Sequence, residues 1–237
     1  MQDNHYFTNS TVLDRPKNFE YEFLNETFKF NSNNGVFSKN HLDKGSLLLA
    51  ETAIKNGILG KILDMGCGIG TISIIIAKKV ENCEISMFDI NERAVKLSKE
   101  NANLNFVQHK IKAQVCDINN DFINKQAIEL SKENASLNTV QSNIKAQVCD
   151  MDSDLALQFD NIITNPPIRA GNKVLFDFFQ AGFTKLKDGG KFYVVLRKKQ
   201  GAETYIKKIE SIFNNASILE KKHGYVIVRA VKQINKS

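Results

Sequence analysis

No pair of cysteines in this chain has metal-ligand spacing. Cys67, Cys83, Cys116 and Cys149 include no C-x-x-C, and the four histidines (His5, His41, His109, His223) are scattered. Neither a metal site nor a disulfide framework is expected. Long apolar runs are missing as well. The longest, Ile72 to Ala77, falls far short of the roughly 20 residues that span a bilayer. The opening residues, MQDNHYFTNS, have neither a basic start nor an apolar stretch. No secretory signal is read there, and the cytoplasm is the expected compartment. Proline is scarce, and two of the three prolines stand together at Pro166 and Pro167.

At 237 residues with 42% hydrophobic side chains, the chain can bury one sizeable core. Its net charge is +6, and the basic clusters Arg197-Lys198-Lys199, Lys207-Lys208 and Lys221-Lys222 all lie in the last third. A lysine-rich surface explains this charge, and so does a nucleic-acid partner.

Aromatic and polar residues alternate through FEYEFLNETFKF (19–30), predicting a β-hairpin in an N-terminal extension that ends near residue 45. One α/β domain then fills 46–237. Apolar strands such as KILDMG, EISMFDI, KIKAQVCD, FDNIIT and KFYVVLRK alternate with helical stretches such as TISIIIAKKV and GAETYIKKIESIF. This predicts an α/β fold with a mostly parallel, Rossmann-like sheet and helices on both faces. One unit occurs twice: Asn91–Ile123 aligns with Asn124–Ala156 without a gap, at an offset of 33 residues. Two copies are too few for a solenoid, so a tandem duplication inside one domain is expected. It would add one helix and one strand near a sheet edge. An exchangeable unit also allows a swapped dimer as well as a monomer.

Three stretches carry chemistry. ILDMGCGIGT (62–71) runs from a strand through Asp64 into Gly66, Gly68 and Gly70 and then a helix. Glycines let the backbone turn and approach a ligand. The third glycine comes one place too early for a dinucleotide fingerprint, and the Asp64 carboxylate suits an ammonium group better than a pyrophosphate. Asp89 ends the next strand, where an acid can accept hydrogen bonds from both ribose hydroxyls; Asn91 is available to cap the following helix, leaving Asp89 for that role. In NIITNPPIRAG (161–171) the prolines hold Asn165 and Pro166 extended. The Asn165 side-chain oxygen and the Pro166 carbonyl then form two acceptors that suit a planar –NH2 group.

Together these motifs resemble the class I S-adenosylmethionine-dependent methyltransferases. HYFT (5–8), GVFSKNHLDKGSLLL (35–49), DMGCGIG (64–70), NPPIRAG (165–171) and KKQGA (198–202) look more closely like the guanine-N2 methyltransferases of small-ribosomal-subunit RNA. The resemblance implies that Asp64, Gly66 and Gly68 line the methionine end of S-adenosylmethionine, with Gly70 in the same cofactor-binding loop. Asp89 would hold its ribose, Ile90 would lie against its adenine, and an acid after the next strand would read the adenine amino group. Asn165 and Pro166 would hold the target amine, with Pro167 and Ile168 flanking the base. The implied partner is ribosomal RNA or the small subunit, with no membrane and no metal. Enzymes that methylate adenine N6 or a protein glutamine amide share Asn-Pro-Pro but usually carry an aromatic where Ile168 stands. A non-catalytic RNA-binding relic is the other alternative, because the duplication departs from the family pattern. That duplication also leaves Asp117 and Asp150 in identical contexts. The loop after Asp150 leads straight to NPPI, so the expectation leans to Asp150 as the adenine reader.

Overall fold

The computed structural model describes residues 16–36, 42–117 and 158–233. The second copy of the repeat, with its expected extra strand and Asp150, lies outside the described residues.

The hairpin forms as its alternation predicts: β1 (Lys17–Phe23) pairs antiparallel with β2 (Glu26–Ser32). Leu24 and Asn25 both have positive φ, 51° and 61°, which is the type I′ geometry that matches strand twist. Phe28 and Phe30 are buried in the same core as the main sheet.

That sheet has seven strands: β3 (Gly60–Met65), β4 (Cys83–Asp89), β5 (Ile111–Val115), β6 (Phe159–Thr164), β7 (Leu186–Arg197), β8 (Ser217–Lys222) and β9 (Tyr225–Val231). Their order is β5-β4-β3-β6-β7-β9-β8. The first five in that order are mutually parallel, and β9 runs antiparallel to β7 and β8. The helices are α1 (Lys44–Lys55), α2 (Thr71–Lys79), α3 (Glu92–Leu104), α4 (Asn172–Lys185) and α5 (Ala202–Phe213). Residues of α1, α2 and α3 pack on one face, and those of α4 and α5 on the other. Strand residues serve the two faces in turn. In β7, Tyr193 and Val195 join the first core while Phe192, Val194 and Leu196 join the second. The predicted Rossmann-like fold is therefore present. What the sequence reading missed is β8, SILEKK, an edge strand whose residues are nearly all exposed and whose apolar signal is the single pair Ile218-Leu219.

Topology places the site. From β3 the chain winds outward through β4 to β5, then returns on the other side of β3 as β6. The order reverses between β3 and β6, and ligands in open α/β sheets bind at the carboxyl ends of the strands beside such a reversal. Asp64, Asp89 and Asn165 all stand at those ends.

The hairpin docks by an unusual device. Asn101 of α3 and Asn105, the residue that ends that helix, pair with the edge of β2 as a neighbouring strand would. Asn105 accepts from Lys29 N (3.1 Å) and donates to Lys29 O (2.7 Å); Asn101 accepts from Asn31 N (2.6 Å) and donates to Asn31 O (3.0 Å). The spacings match: four helical residues advance about 6 Å, and two strand residues about 6.8 Å.

Candidate active site

The glycine loop is laced to the end of β4. Gly66 N and Cys67 N both donate to Phe88 O (2.8 and 3.0 Å), and Gly68 N donates to Asp89 Oδ2 (2.8 Å). Gly66, Gly68 and Gly70 all have positive φ (74°, 55°, 86°), so a side chain at any of them would be strained. The three differ in surroundings. A Cβ on Gly68 would meet nothing within 4 Å, whereas one on Gly70 would crowd Ile74, Ser98 and Met87 at 3.2–3.4 Å. Gly68 fronts open space, and Gly70 lets α2 and α3 close up behind it.

Asp64 is wholly buried. Its Oδ2 accepts from Ser73 Oγ (2.7 Å), and its Oδ1 has no partner. Burial pushes its pKa up to about 7, opposed by the Ser73 bond and helped by the nearby Asp89 carboxylate. A buried acceptor without a donor is costly, and a cationic or N–H donor beside it would relieve that cost.

Asp89 is less idle than expected. Asn91 does cap α3, accepting from Arg93 N and Ala94 N. Yet Asp89 is also engaged, by Gly68 N on Oδ2 and by Asn91 N on Oδ1 (2.9 Å). Burial raises its pKa, and these backbone bonds oppose the rise. Each oxygen keeps acceptor capacity for a further donor. Ile90 beside it is partly exposed. Because β5 pairs with β4, with Asp89 opposite Val115, Asp117 lies two residues past the neighbouring strand end. Cys67 is no candidate nucleophile: burial and the Asp89 and Asp64 carboxylates push its thiol pKa well up.

On the other side of the reversal, Thr164 Oγ1 donates to Met65 O (2.7 Å) and ties the end of β6 to β3. Asn165 follows. Its Nδ2 donates to Ser46 Oγ (2.9 Å) and Asp43 Oδ2 (3.1 Å), and no described residue donates to its Oδ1. Pro167 (φ −75°, ψ 78°) makes an inverse γ-turn in which Ile168 N donates to Pro166 O (2.9 Å). The Pro166 carbonyl therefore has one lone pair engaged and one left over. Ile168 packs partly buried against the second core.

Sequence reasoning missed what stands behind Asn165. Asp43 caps α1, its Oδ2 accepting from Ser46 N (2.9 Å). Its Oδ1 accepts from Tyr225 Oη (3.0 Å), and Tyr225 Oη accepts in turn from Arg197 Nη2 (2.6 Å) and Nε (3.1 Å). Burial raises the Tyr225 pKa against the Arg197 hydrogen bond, and that same bond raises the pKa of Arg197. In sequence Asp43 and Ser46 show only as part of GVFSKNHLDKGSLLL (35–49), and Arg197 only as part of a basic cluster. Among the described residues no three His, Cys, Asp or Glu side chains cluster as a metal site would need, and no helix is long and apolar enough to cross a membrane.

The chain matches the methyltransferase small domain family over residues 27–123 and 108–229, two stretches that overlap inside the first copy of the repeat. It is 35% identical to the uncharacterised protein YbxB of Bacillus subtilis (strain 168), over 98% of this chain and all of that protein. It is 27% identical to the ribosomal RNA small subunit methyltransferase C of Buchnera aphidicola, over 83% of this chain and 48% of that protein. The Haemophilus influenzae (strain PittEE) protein of that name is 44% identical over 33% of this chain and 24% of its own. The chain thus spans about half or less of the methyltransferase C relatives it matches. Among solved structures, the Thermus thermophilus 16S rRNA N2 G1207 methyltransferase in complex with AdoMet and guanosine superposes with a TM-score of 0.67 at 22% identity, covering 92% of this chain and 51% of that one. At that identity the likeness is one of fold. Joined to the end-to-end Bacillus relative and the domain match, it accounts for the sheet order and the glycine loop alike: the chain belongs to the methyltransferase small domain family, with a class I methyltransferase fold.

Proposed function

We propose that the chain transfers a methyl group from S-adenosylmethionine to the exocyclic N2 amine of a guanine in small-subunit ribosomal RNA. The observation that carries this reading is the Asn165 carboxamide. Its nitrogen is held by Ser46 and Asp43, so its oxygen is left to accept at the carboxyl edge of the sheet, beside the spare lone pair of Pro166 O.

The residues present fit the cofactor. The unpartnered Oδ1 of Asp64 suits an ammonium group, the open space at Gly68 admits a ligand against the backbone, and Asp89 can accept from ribose hydroxyls. Ile90 would flank the adenine, and Asp117, two residues past the end of the strand next to Asp89, would be the described acid to read its amino group. Bound S-adenosylmethionine supplies an electrophilic methyl on a sulfonium, with a neutral thioether as leaving group. Asn165 Oδ1 and Pro166 O would each accept one N–H of the target amine. That geometry favours a pyramidal, more basic nitrogen and orients its lone pair, so the protein acts by positioning and fixed dipoles. Proton loss follows transfer.

Two features favour RNA and guanine. Arg197, the last residue of β7, and Lys198 and Lys199 just past it are exposed on the same edge as Asn165, where cations would meet phosphates. Ile168 gives a base apolar contact without the π-face that would stack a flipped adenine. The test is transfer of labelled methyl to small-subunit RNA, followed by mapping of the modified nucleotide. Guanine N2 is the expected product; a label on adenine N6 or on protein would redirect the assignment. A protein that does not bind S-adenosylmethionine in calorimetry would end this reading altogether.

A further inference from the structure

A carboxamide has nearly the same shape either way round, and only one way presents an acceptor. Two neighbours decide the matter for Asn165. Asp43 Oδ2, on a carboxylate, can only accept. Ser46 Oγ lies 3.4 Å from that same oxygen, placed to donate to it, and so turns a lone pair toward Asn165. Turned over, the Asn165 carbonyl would face a carboxylate. We propose that Asp43 is a positioning residue for methyl transfer, locking the Asn165 carboxamide with its oxygen toward the acceptor amine, and that Tyr225 and Arg197 hold Asp43 in place for it. This rests on the methyl-transfer reading of the site.

A helix cap alone does not account for what surrounds Asp43. Capping α1 uses Oδ2 and Ser46 N. It leaves unexplained the Tyr225 hydroxyl on Oδ1, the double Arg197 donation onto that hydroxyl, and the Arg197 guanidinium 4.0 Å from Oδ1. Arg197 also lies over the Tyr225 ring, 5.0 Å from its centroid. The Asp43 side chain is only 10% exposed, whereas that of Arg197 is 51% exposed, so the carboxylate end of the network is shielded from water and the guanidinium end is not. Gly45 makes room for it. A Cβ there would sit 2.6 Å from Tyr225 Cε1 and 2.8 Å from Asp43 Oδ2. The ring can reach Asp43 only because residue 45 has no side chain.

The discriminating variant is Asp43→Asn, which keeps the shape of the side chain and replaces one acceptor oxygen by an –NH2 donor. Its single carbonyl oxygen is drawn to the donors Tyr225 and Arg197. Its –NH2 then faces Ser46 and Asn165, so the bond from Ser46 N is given up and Asn165 must turn over. The expected result is a fall in kcat of about 10- to 100-fold, the worth of a charge-assisted hydrogen bond, with KM for S-adenosylmethionine held and the melting temperature lowered no further than loss of that one cap lowers it. Adding Tyr225→Phe removes the donor that misdirects the substituted amide, and part of the lost kcat should return. A merely structural role predicts the reverse, since a second lesion would only deepen the loss. The Asn165 side-chain NH2 signals, assigned through Asn165→Asp, read the orientation without turnover. They should be protected from solvent exchange in the wild type and released in Asp43→Asn. Unchanged kcat, unchanged protection, or a kcat loss that Tyr225→Phe worsens overturns the proposal. Absence of methyl transfer by the wild type refutes the functional reading instead, while the NMR arm still reports on Asn165.

Discussion

The two halves of the carboxyl edge are built differently. On the β3–β4–β5 side, the glycine loop is held by backbone groups and by an acid 21 residues from the amide it binds. On the β6–β7–β9 side, Asn165 is held by side chains 122 and 119 residues away, and Asp43 by one 182 residues away. The first half is fixed by sheet register and by glycine conformations. The second is fixed by a chain of polar side chains in which each member orients the next. A pocket made of backbone should tolerate most side-chain changes outside its glycines and its acid. An orientation made of side chains should fail as a unit.

The sharpest way to separate the halves is Asn165→Ala. Methyl transfer should fall on the order of 10²- to 10³-fold, as when one preorganised polar partner is removed. S-Adenosylmethionine affinity by calorimetry should stay within about twofold, far below the effect of losing one hydrogen bond to a charged group. A matching loss of affinity would mean that the two halves are one site.

On the cofactor side the largest effect is on stability. The folded Asp64 carboxyl holds its proton up to a pKa of about 7, against an ordinary value of 3.8. Above that ordinary value unfolding therefore releases a proton, and the ligand-free protein loses stability as pH rises until the folded group also ionises. Between pH 5 and 7 this amounts to roughly 2–3 kcal/mol. Asp64→Asn removes that slope, so the difference in unfolding free energy between variant and wild type should shift in the variant's favour by that amount. Parallel pH profiles in denaturant melts would show that Asp64 is not protonated in the folded protein. Asp89→Ala comes next: it removes an acceptor of Gly68 N and a proposed ribose ligand together. S-Adenosylmethionine binding should weaken about 10- to 100-fold, with kcat on saturating cofactor less affected.

This contrast also explains what was legible in advance. The parallel strands announced themselves by short apolar runs such as Ile62-Leu63 and Ile162-Ile163 between helical stretches, and Asp64, Asp89 and Asn165 stand at their ends. The β8–β9 ribbon was only half visible: β9 is buried, while β8 is an exposed edge with charges at half of its positions. The Asn91 cap could be read because capping is local. The bond from Gly68 N to Asp89 could not, since it depends on how far the loop folds over β4. Asp43 stands just before an apolar helical stretch, and Tyr225 opens the apolar strand YVIVRAV. Nothing within either segment says that they meet. Asn101 and Asn105 read as the polar face of a helix, because a side chain that completes a strand edge looks the same in sequence as one facing water.

The repeat supplies the smallest effect. Ile111–Asp117 and Ile144–Asp150 are identical in sequence, so only their neighbours can distinguish them. β5 of the first copy pairs directly with β4, the strand that carries Asp89. Asp117 therefore lies one strand spacing, about 4.8 Å, across from the proposed ribose ligand and up to about 6.8 Å, two residues, further along. If Asp117 reads the adenine amino group, wild-type protein should bind S-adenosylhomocysteine about 2- to 10-fold more tightly than its inosyl analogue, the range of one net hydrogen bond. Asp117→Ala should lose that preference, and Asp150→Ala should keep it. The opposite pattern would move the adenine reader to the second copy and with it the strand that lies beside β4 in the working enzyme. Loss of the preference in both variants would mean that either copy can take that place, making the backbone-built half of the site as dependent on distant residues as the half around Asn165.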